Sequence, residues 1–270
     1  MARRKDSGML LYLRLWRRFV LMAVARETVY RTSFLLSVGE GLAQLALALL
    51  TVAIVYRFTT TVAGWSQAQV FLLVGIYRVM DGLISVQVAP NMFELPHAIN
   101  GGDLDFVLVS PVSSQFLVSL RRLALTEVPS LLIGLGLTVY AGNLAGVRWS
   151  IGAVAEATGL GLCGLLVLYA LWFALETCSF WLVGNSSLNM LFYSVFEAAR
   201  YPVSFFGGRV RTLLTFIIPI AFATTFPAEA LLGRADGRLL PLGLALAAGA
   251  LIMTHLFWRY AVQHYASASS

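Results

Sequence analysis

Long apolar stretches alternate with short polar ones along almost the whole chain. Five of them, at about residues 34–56, 69–89, 123–141, 159–183 and 240–258, run without a strong interruption. A helix of roughly twenty apolar residues crosses the ~30 Å hydrocarbon core of a bilayer, so each is expected to span. A sixth stretch, 213–232, contains Pro219 and Pro227. It predicts a kinked span to about Phe226 and then a broken or re-entrant piece, which needs cover from protein or water. Pro129 is expected to kink the third span. The fold class this predicts is all-α and polytopic, with six transmembrane helices.

Ahead of the first span the period is helical but two-sided. At 100° per residue Arg14, Arg17 and Arg18 share one arc of residues 8–24, and Tyr12, Trp16, Phe19 and Ala23 share the opposite one. Two readings fit: a helix in the headgroup layer with snorkelling arginine stems, or a cytoplasmic helix packed on a partner. The expected divisions are an N-terminal interface helix (1–33), a six-helix membrane domain (34–260) and a short tail (261–270). A second short helix is expected around Phe192, Phe196, Glu197 and Arg200, stopping near Tyr201 because Pro202 disfavours helical geometry before it.

Composition agrees with the pattern. Of 270 residues 59% are hydrophobic and 12% charged, half the charge of a typical soluble domain. The net charge of +6 does not indicate nucleic acid, because the basic residues fall between apolar runs and form no basic domain surface. They orient the chain instead. With the N-terminus inside, Arg3, Arg4, Lys5, Arg14, Arg17, Arg18, Arg26, Arg31, Arg121, Arg122, Arg200, Arg209, Arg211 and Arg259 are cytoplasmic. Arg57, Arg148, Arg234 and Arg238 are outside. The asymmetry fits the positive-inside rule with both termini cytoplasmic.

A few polar residues fall inside the spans. Ser37, Glu40, Gly41, Gln44 and Ala48 make a small, polar face on the first, suited to close contact with another helix, a second subunit included. Arg78 and Asp81 lie near the middle of the second, at the i,i+3 spacing that allows a pair on one face. Such charges mark a pathway, a gate or a structural pair. Glu176 is expected close enough to the cytoplasmic surface to reach water. No phosphate-binding GxxxxGK[ST], HExxH, CxxC or GxSxG motif occurs, and His97, His255 and His264 are too dispersed to suggest a metal site. Cys163 and Cys178, 15 residues apart in one apolar run, cannot pair if helical. No catalytic residue or cofactor is expected in this chain.

Residues 89–120 read as the first cytoplasmic connection. Within it Gly101-Gly102-Asp103-Leu104-Asp105 leads to Phe106-Val107-Leu108-Val109 and stops before Pro111. The pattern suggests a short element with flexible entry, an acidic cap and an apolar ridge. This run resembles the G-x-L-D-x-x-L-x-x-P stretch of a permease family of the ABC-2 class of ATP-binding-cassette transporters. Arg200-Tyr201-Pro202-Val203-Ser204, Phe216-Ile217-Ile218-Pro219-Ile220-Ala221-Phe222 and Phe226-Pro227-Ala228-Glu229 are similar to the same family, and the likeness covers about residues 10–265.

The resemblance implies an export permease of a prokaryotic plasma (inner) membrane, working as a homodimer or with a related permease. It implies separate cytoplasmic ATPase subunits that bind ATP and Mg2+. It places ATPase coupling at Gly101, Gly102, Asp103, Asp105, Phe106 and Leu108, and a further contact on the N-terminal helix with Arg14, Trp16, Arg17 and Arg18. Membrane lipid is the surrounding partner. Glu40, Gln44, Arg78 and Asp81 are the pathway or interface candidates. Two other functions suit the same residues: an ion-gradient carrier with Glu40, Arg78 and Asp81 as relay, and a membrane anchor or assembly subunit that transports nothing.

Overall fold

A computed structural model describes residues 8–27, 31–182, 186–217 and 219–265. It opens with α1 (Gly8–Glu27) and α2 (Arg31–Tyr56). A minimal hairpin follows, β1 (Thr61–Val62) and β2 (Trp65–Ser66), with Val62 opposite Trp65. Its two turn residues, Ala63 and Gly64, both have positive φ (46° and 83°), the twist a two-residue hairpin demands. Next comes one long rod: α3 (Gln67–Leu83), a π-helical turn (Ile84–Val88) and α4 (Ala89–Gly101). Short helices α5 (Leu104–Leu108) and α6 (Ser114–Leu120) precede α7 (Val128–Leu144) and α8 (Ile151–Thr177). The rest is α9 (Ser186–Phe196), α10 (Gly208–Thr212), α11 (Thr225–Leu231) and α12 (Leu239–Gln263).

Among the described residues five helices are long and apolar enough to cross a bilayer: Leu35–Tyr56, Gln67–Gly101, Leu125–Leu144, Ile151–Phe180 and Leu239–Gln263. A sixth crossing is made if the pair Gly208–Thr215 and Ile220–Leu231, bent by 67°, counts as one span. The stretch is bent, but between Thr215 and Ile220 and not after Phe226, and Pro227 lies inside α11 without breaking it. All-α and polytopic describes the chain.

Glycine sets the closest packing. A side chain at Gly75 or Gly82 of α3 would meet the backbone of Thr138 or Leu131 of α7, and one at Gly134 of α7 would meet Val79 of α3, each at 2.7 Å. The two helices therefore touch backbone to backbone, as small residues allow in membranes. Gly164 does the same for α8, whose backbone meets Phe222 and Ala223 in the bent span. An aromatic core fills the other half: Trp172 stacks on Phe192 with centroids 4.1 Å apart, Tyr77 on Phe196 at 5.1 Å, and Phe173 meets Trp258 edge-on at 5.2 Å.

Several expectations are corrected here. Residues 89–101 are helix and not a connection. Pro90 falls in the first turn of α4, where a missing N–H costs little, and burial of Met92, Leu95 and Ile99 at helical spacing carries the helix through Pro96. Pro129 likewise opens α7 and does not kink it. The fourth span begins at Ile151, where Ser150 caps it through its side chain to the Ala153 N–H, well ahead of residue 159. The expected stop near Tyr201 holds: that residue is extended, with φ −118° and ψ 148°.

The ends of the molecule sort into two groups. Tyr12 of α1 accepts from the Ser113 N–H at 3.3 Å, and Trp258 and His255 of α12 reach Ser114 and Gln115 at 3.1 and 2.7 Å. At the opposite end Arg234 donates to Gln69 at 3.4 Å, beside the start of α3.

Candidate functional site

Part of the polar face of α2 is turned to the start of α7. Ser37 Oγ donates to the Thr126 carbonyl at 2.8 Å, and a Cβ on Gly41 would lie 3.0 Å from the Ser130 hydroxyl. Below this contact α2, α3, α4, the start of α7 and the segment after α9 enclose a cavity of about 450 Å³. It reaches the surface at Glu40 and Glu197, which are exposed. Arg78 lies eleven residues into the rod from Gln67, about 16 Å at 1.5 Å per residue, or near mid-depth of a ~30 Å hydrocarbon core.

The four pathway candidates form one hydrogen-bonded chain. Arg78, only 4% exposed, donates from Nη1 to Gln44 Oε1 at 2.9 Å and to Asp81 Oδ2 at 3.3 Å. The Gln44 amide in turn donates to Glu40 Oε1 at 2.9 Å. A buried guanidinium is thus held by one carboxylate and one amide oxygen, as a charge taken out of water requires. Asp81 keeps an opening to the cavity, being less completely covered than its partner. The link from α2 to α3 runs through Gln44.

The cavity also gathers residues that the sequence did not mark as pathway candidates. Tyr77, Phe93 and Tyr193 give it aromatic walls, and Glu127, Glu197 and Arg200 give it charge. Arg200 lies 3.6 Å from Glu197 and over the Tyr77 ring at 5.3 Å, a cation–π distance. Counted by sequence with the cytoplasmic loops, Arg200 is instead a wall residue. The polar, less apolar character of 184–208 was the available signal; what it faces depends on the fold.

Glu176 departs further from expectation. It is completely buried. Trp172 Nε1 donates to its Oε1 at 3.2 Å and to Asn189 Oδ1 at 3.0 Å, and its Oε2 has no hydrogen-bond partner among the described residues.

The coupling candidates are split by the fold. Gly102, with φ 80°, ends α4 in the left-handed conformation that glycine tolerates. Asp103 precedes α5 with helical angles and makes no capping bond, so the expected acidic cap is not formed by that residue. Asp105 lies in the first turn of α5. Val107 is buried and Leu108 packs on the core, whereas Phe106 is 76% and Val109 82% exposed. The ridge is therefore Phe106 with Val109, not Phe106 to Leu108. On α1, Tyr12, Phe19 and Ala23 are the covered arc and Arg14, Arg17 and Arg18 are exposed; Trp16, placed by period on the covered arc, is exposed too. Phe19, Met22 and Ala23 share a groove of about 480 Å³ with Asp103, Phe106 and Arg121. Those elements form one face.

Compared with known proteins, residues 42–269 match the family model described as ABC-2 family transporter protein. No curated protein and no solved structure matches the chain.

Proposed function

The chain belongs to the ABC-2 family of transporter proteins, and from that premise we propose that it is the permease subunit of an ATP-binding-cassette exporter, with the Arg78 cavity as part of its translocation pathway. The observation that carries this is a charged cavity reaching the buried Arg78, about 16 Å along the rod, in a bundle of apolar helices. Intramembrane charge is costly and is kept where it serves a route or a relay. The cavity opens beside α2 and the segment after α9, so a second copy of the chain, or a related permease, would close it. Separate ATPase subunits holding ATP and Mg2+ would dock on the face that carries α1, Phe106 and Val109, with both termini on that side of the plasma membrane.

The direct test is purification in mild detergent with identification of every bound polypeptide, followed by reconstitution. The reading expects an ATPase subunit and two permease chains per complex, and nucleotide hydrolysis that Asp81→Asn or Glu40→Gln alters without releasing the ATPase. Transport that persists without ATP and follows an imposed ion gradient would replace it with a gradient-driven carrier.

A further inference from the structure

Between the cytoplasmic-side helices and the cavity wall lies a short irregular connection, residues 122–124, that is bonded to the rod by its backbone. Pro90 has no N–H to give the helix, and the carbonyl four residues earlier, on Val86, accepts from the Ala124 N–H at 3.0 Å. Asn91 completes the attachment. Its Oδ1 accepts from the Arg122 N–H at 2.9 Å, and its Nδ2 donates to the Arg122 carbonyl at 2.8 Å and to the Gln87 carbonyl at 2.7 Å. The side chain is 2% exposed and treats Arg122 as a strand treats its neighbour, with one bond in each direction. Outside it, Arg122 also pairs with Glu94 of α4.

We infer that Asn91 is a positioning residue for transport: it fixes residues 122–124 to the rod, so that a displacement of the 101–122 segment reaches the cavity wall. The inference rests on the transport reading above. Its physical basis is the order of the parts. On one side of the clip are the exposed Phe106 and Val109; on the other, Ala124 and Glu127 line the cavity, and Thr126 is bonded to α2 through Ser37. On the rod, Ala89 and Pro90 line the same cavity beside the clip. A connection free to slide would absorb a push at the loop. One held to α4 and the π-helical turn by three backbone attachments and the Arg122–Glu94 pair passes it to both walls together.

The experiment uses the permease with its co-purifying ATPase in nanodiscs of phosphatidylethanolamine and phosphatidylglycerol. Cys163 and Cys178 are replaced by Ala, and Ala124→Cys reports on the wall through its reaction with a water-soluble maleimide. A non-hydrolysable ATP analogue with Mg2+ should change that rate about fivefold in the parent, and less than about twofold once Asn91→Ala breaks the clip, with the ATPase still bound. Asn91→Asp, which keeps the acceptor for the Arg122 N–H and loses both donors, should fall between. A full response in Asn91→Ala overturns the inference. In the permease alone, Asn91→Ala should speed hydrogen exchange at Arg122 and Ala124 about tenfold and leave the α7 amides of residues 132–143 as they were. Acceleration throughout α7 would make Asn91 a general packing residue and also overturn the assignment. A parent without any nucleotide response would sink the transport reading, and the transmission with it, while the exchange data still decide whether the clip exists.

Discussion

Arg78 illustrates how much a single buried charge demands. Its guanidinium has two partners, Asp81 three residues away and Gln44 on another helix. Removing one member of a buried pair leaves the other unpaired, which costs about 3–5 kcal/mol when cover is complete. Arg78→Leu should therefore lower the melting temperature of the purified protein more than Asp81→Asn, because an Asn at 81 still offers an oxygen to the guanidinium and Gln44 keeps its bond, whereas Leu at 78 removes the donor from both Asp81 and Gln44. The double exchange Arg78→Asp with Asp81→Arg should recover part of the loss, and no recovery would mean that Gln44, not Asp81, is the dominant partner. The glycines set a second residue-scale test. Gly82→Leu or Gly134→Leu forces α3 and α7 apart and should cost about 1–3 kcal/mol or more, read as loss of thermal stability in detergent. Gly136→Leu, with nothing within 4 Å of its would-be Cβ, should be tolerated. The i,i+3 spacing of Arg78 and Asp81 was legible in the sequence; the partnership with Gln44, 34 residues away, was not, since no local period encodes a contact between helices.

At the scale of elements, apolar length was the readable quantity, and proline was informative at Pro202 and Pro219 but misleading at Pro90, Pro96 and Pro129. Spans announced themselves because twenty apolar residues have few other places to go. Residues 89–101, which contain Pro90 and Pro96, read as a connection and Pro129 as a kink, yet Pro90 and Pro129 sit in first turns and Pro96 is carried by buried neighbours. Which prolines end a helix is settled by what the flanking residues bury, and that is a tertiary fact. The short α5 shows the same limit. Its sequence offers Phe106, Val107, Leu108 and Val109 as one apolar run, but a five-residue helix cannot expose them all on one side. Phe106 and Val109 are outside while Val107 and Leu108 are covered. The two sets should respond differently. Phe106→Ser with Val109→Ser should leave the melting temperature nearly unchanged and abolish co-purification of the ATPase. Leu108→Ser should destabilise the permease by about 1–2 kcal/mol through lost burial. If the exposed pair could be removed with the ATPase still bound and stimulated, docking would have to be sought on the exposed face of α1.

For the whole molecule the question is which end faces the cytoplasm, and here charge and architecture can be set against each other. Four arginines, Arg57, Arg148, Arg234 and Arg238, follow or precede spans at the end that carries the hairpin. Most of the remaining basic residues belong to α1, to the 121–122 doublet, to α10 or to the end of α12, and the described contacts of Tyr12, Ser113, Ser114 and Trp258 bring three of those four regions together. The helices could have been threaded so that these groups fell at opposite ends, and they are not. Juxtamembrane arginine is retained on the cytoplasmic side during insertion, so the hairpin end should be external. Single cysteines at Gly64 and Gly237, in a background with Cys163→Ala and Cys178→Ala, should react with a membrane-impermeant maleimide in intact cells. Cysteines at Gly101 and Gly207 should react only after the membrane is permeabilised. Both glycine sets have open space around the would-be Cβ, so a lack of labelling reports sidedness and not burial. The reverse pattern would invert the molecule and move the docking face outside, where no soluble ATPase has access to cytoplasmic ATP. Labelling of Gly101 and Gly64 from the same side would break the crossing of the α3–α4 rod itself, and with it the mid-depth position of Arg78 from which the pathway was argued.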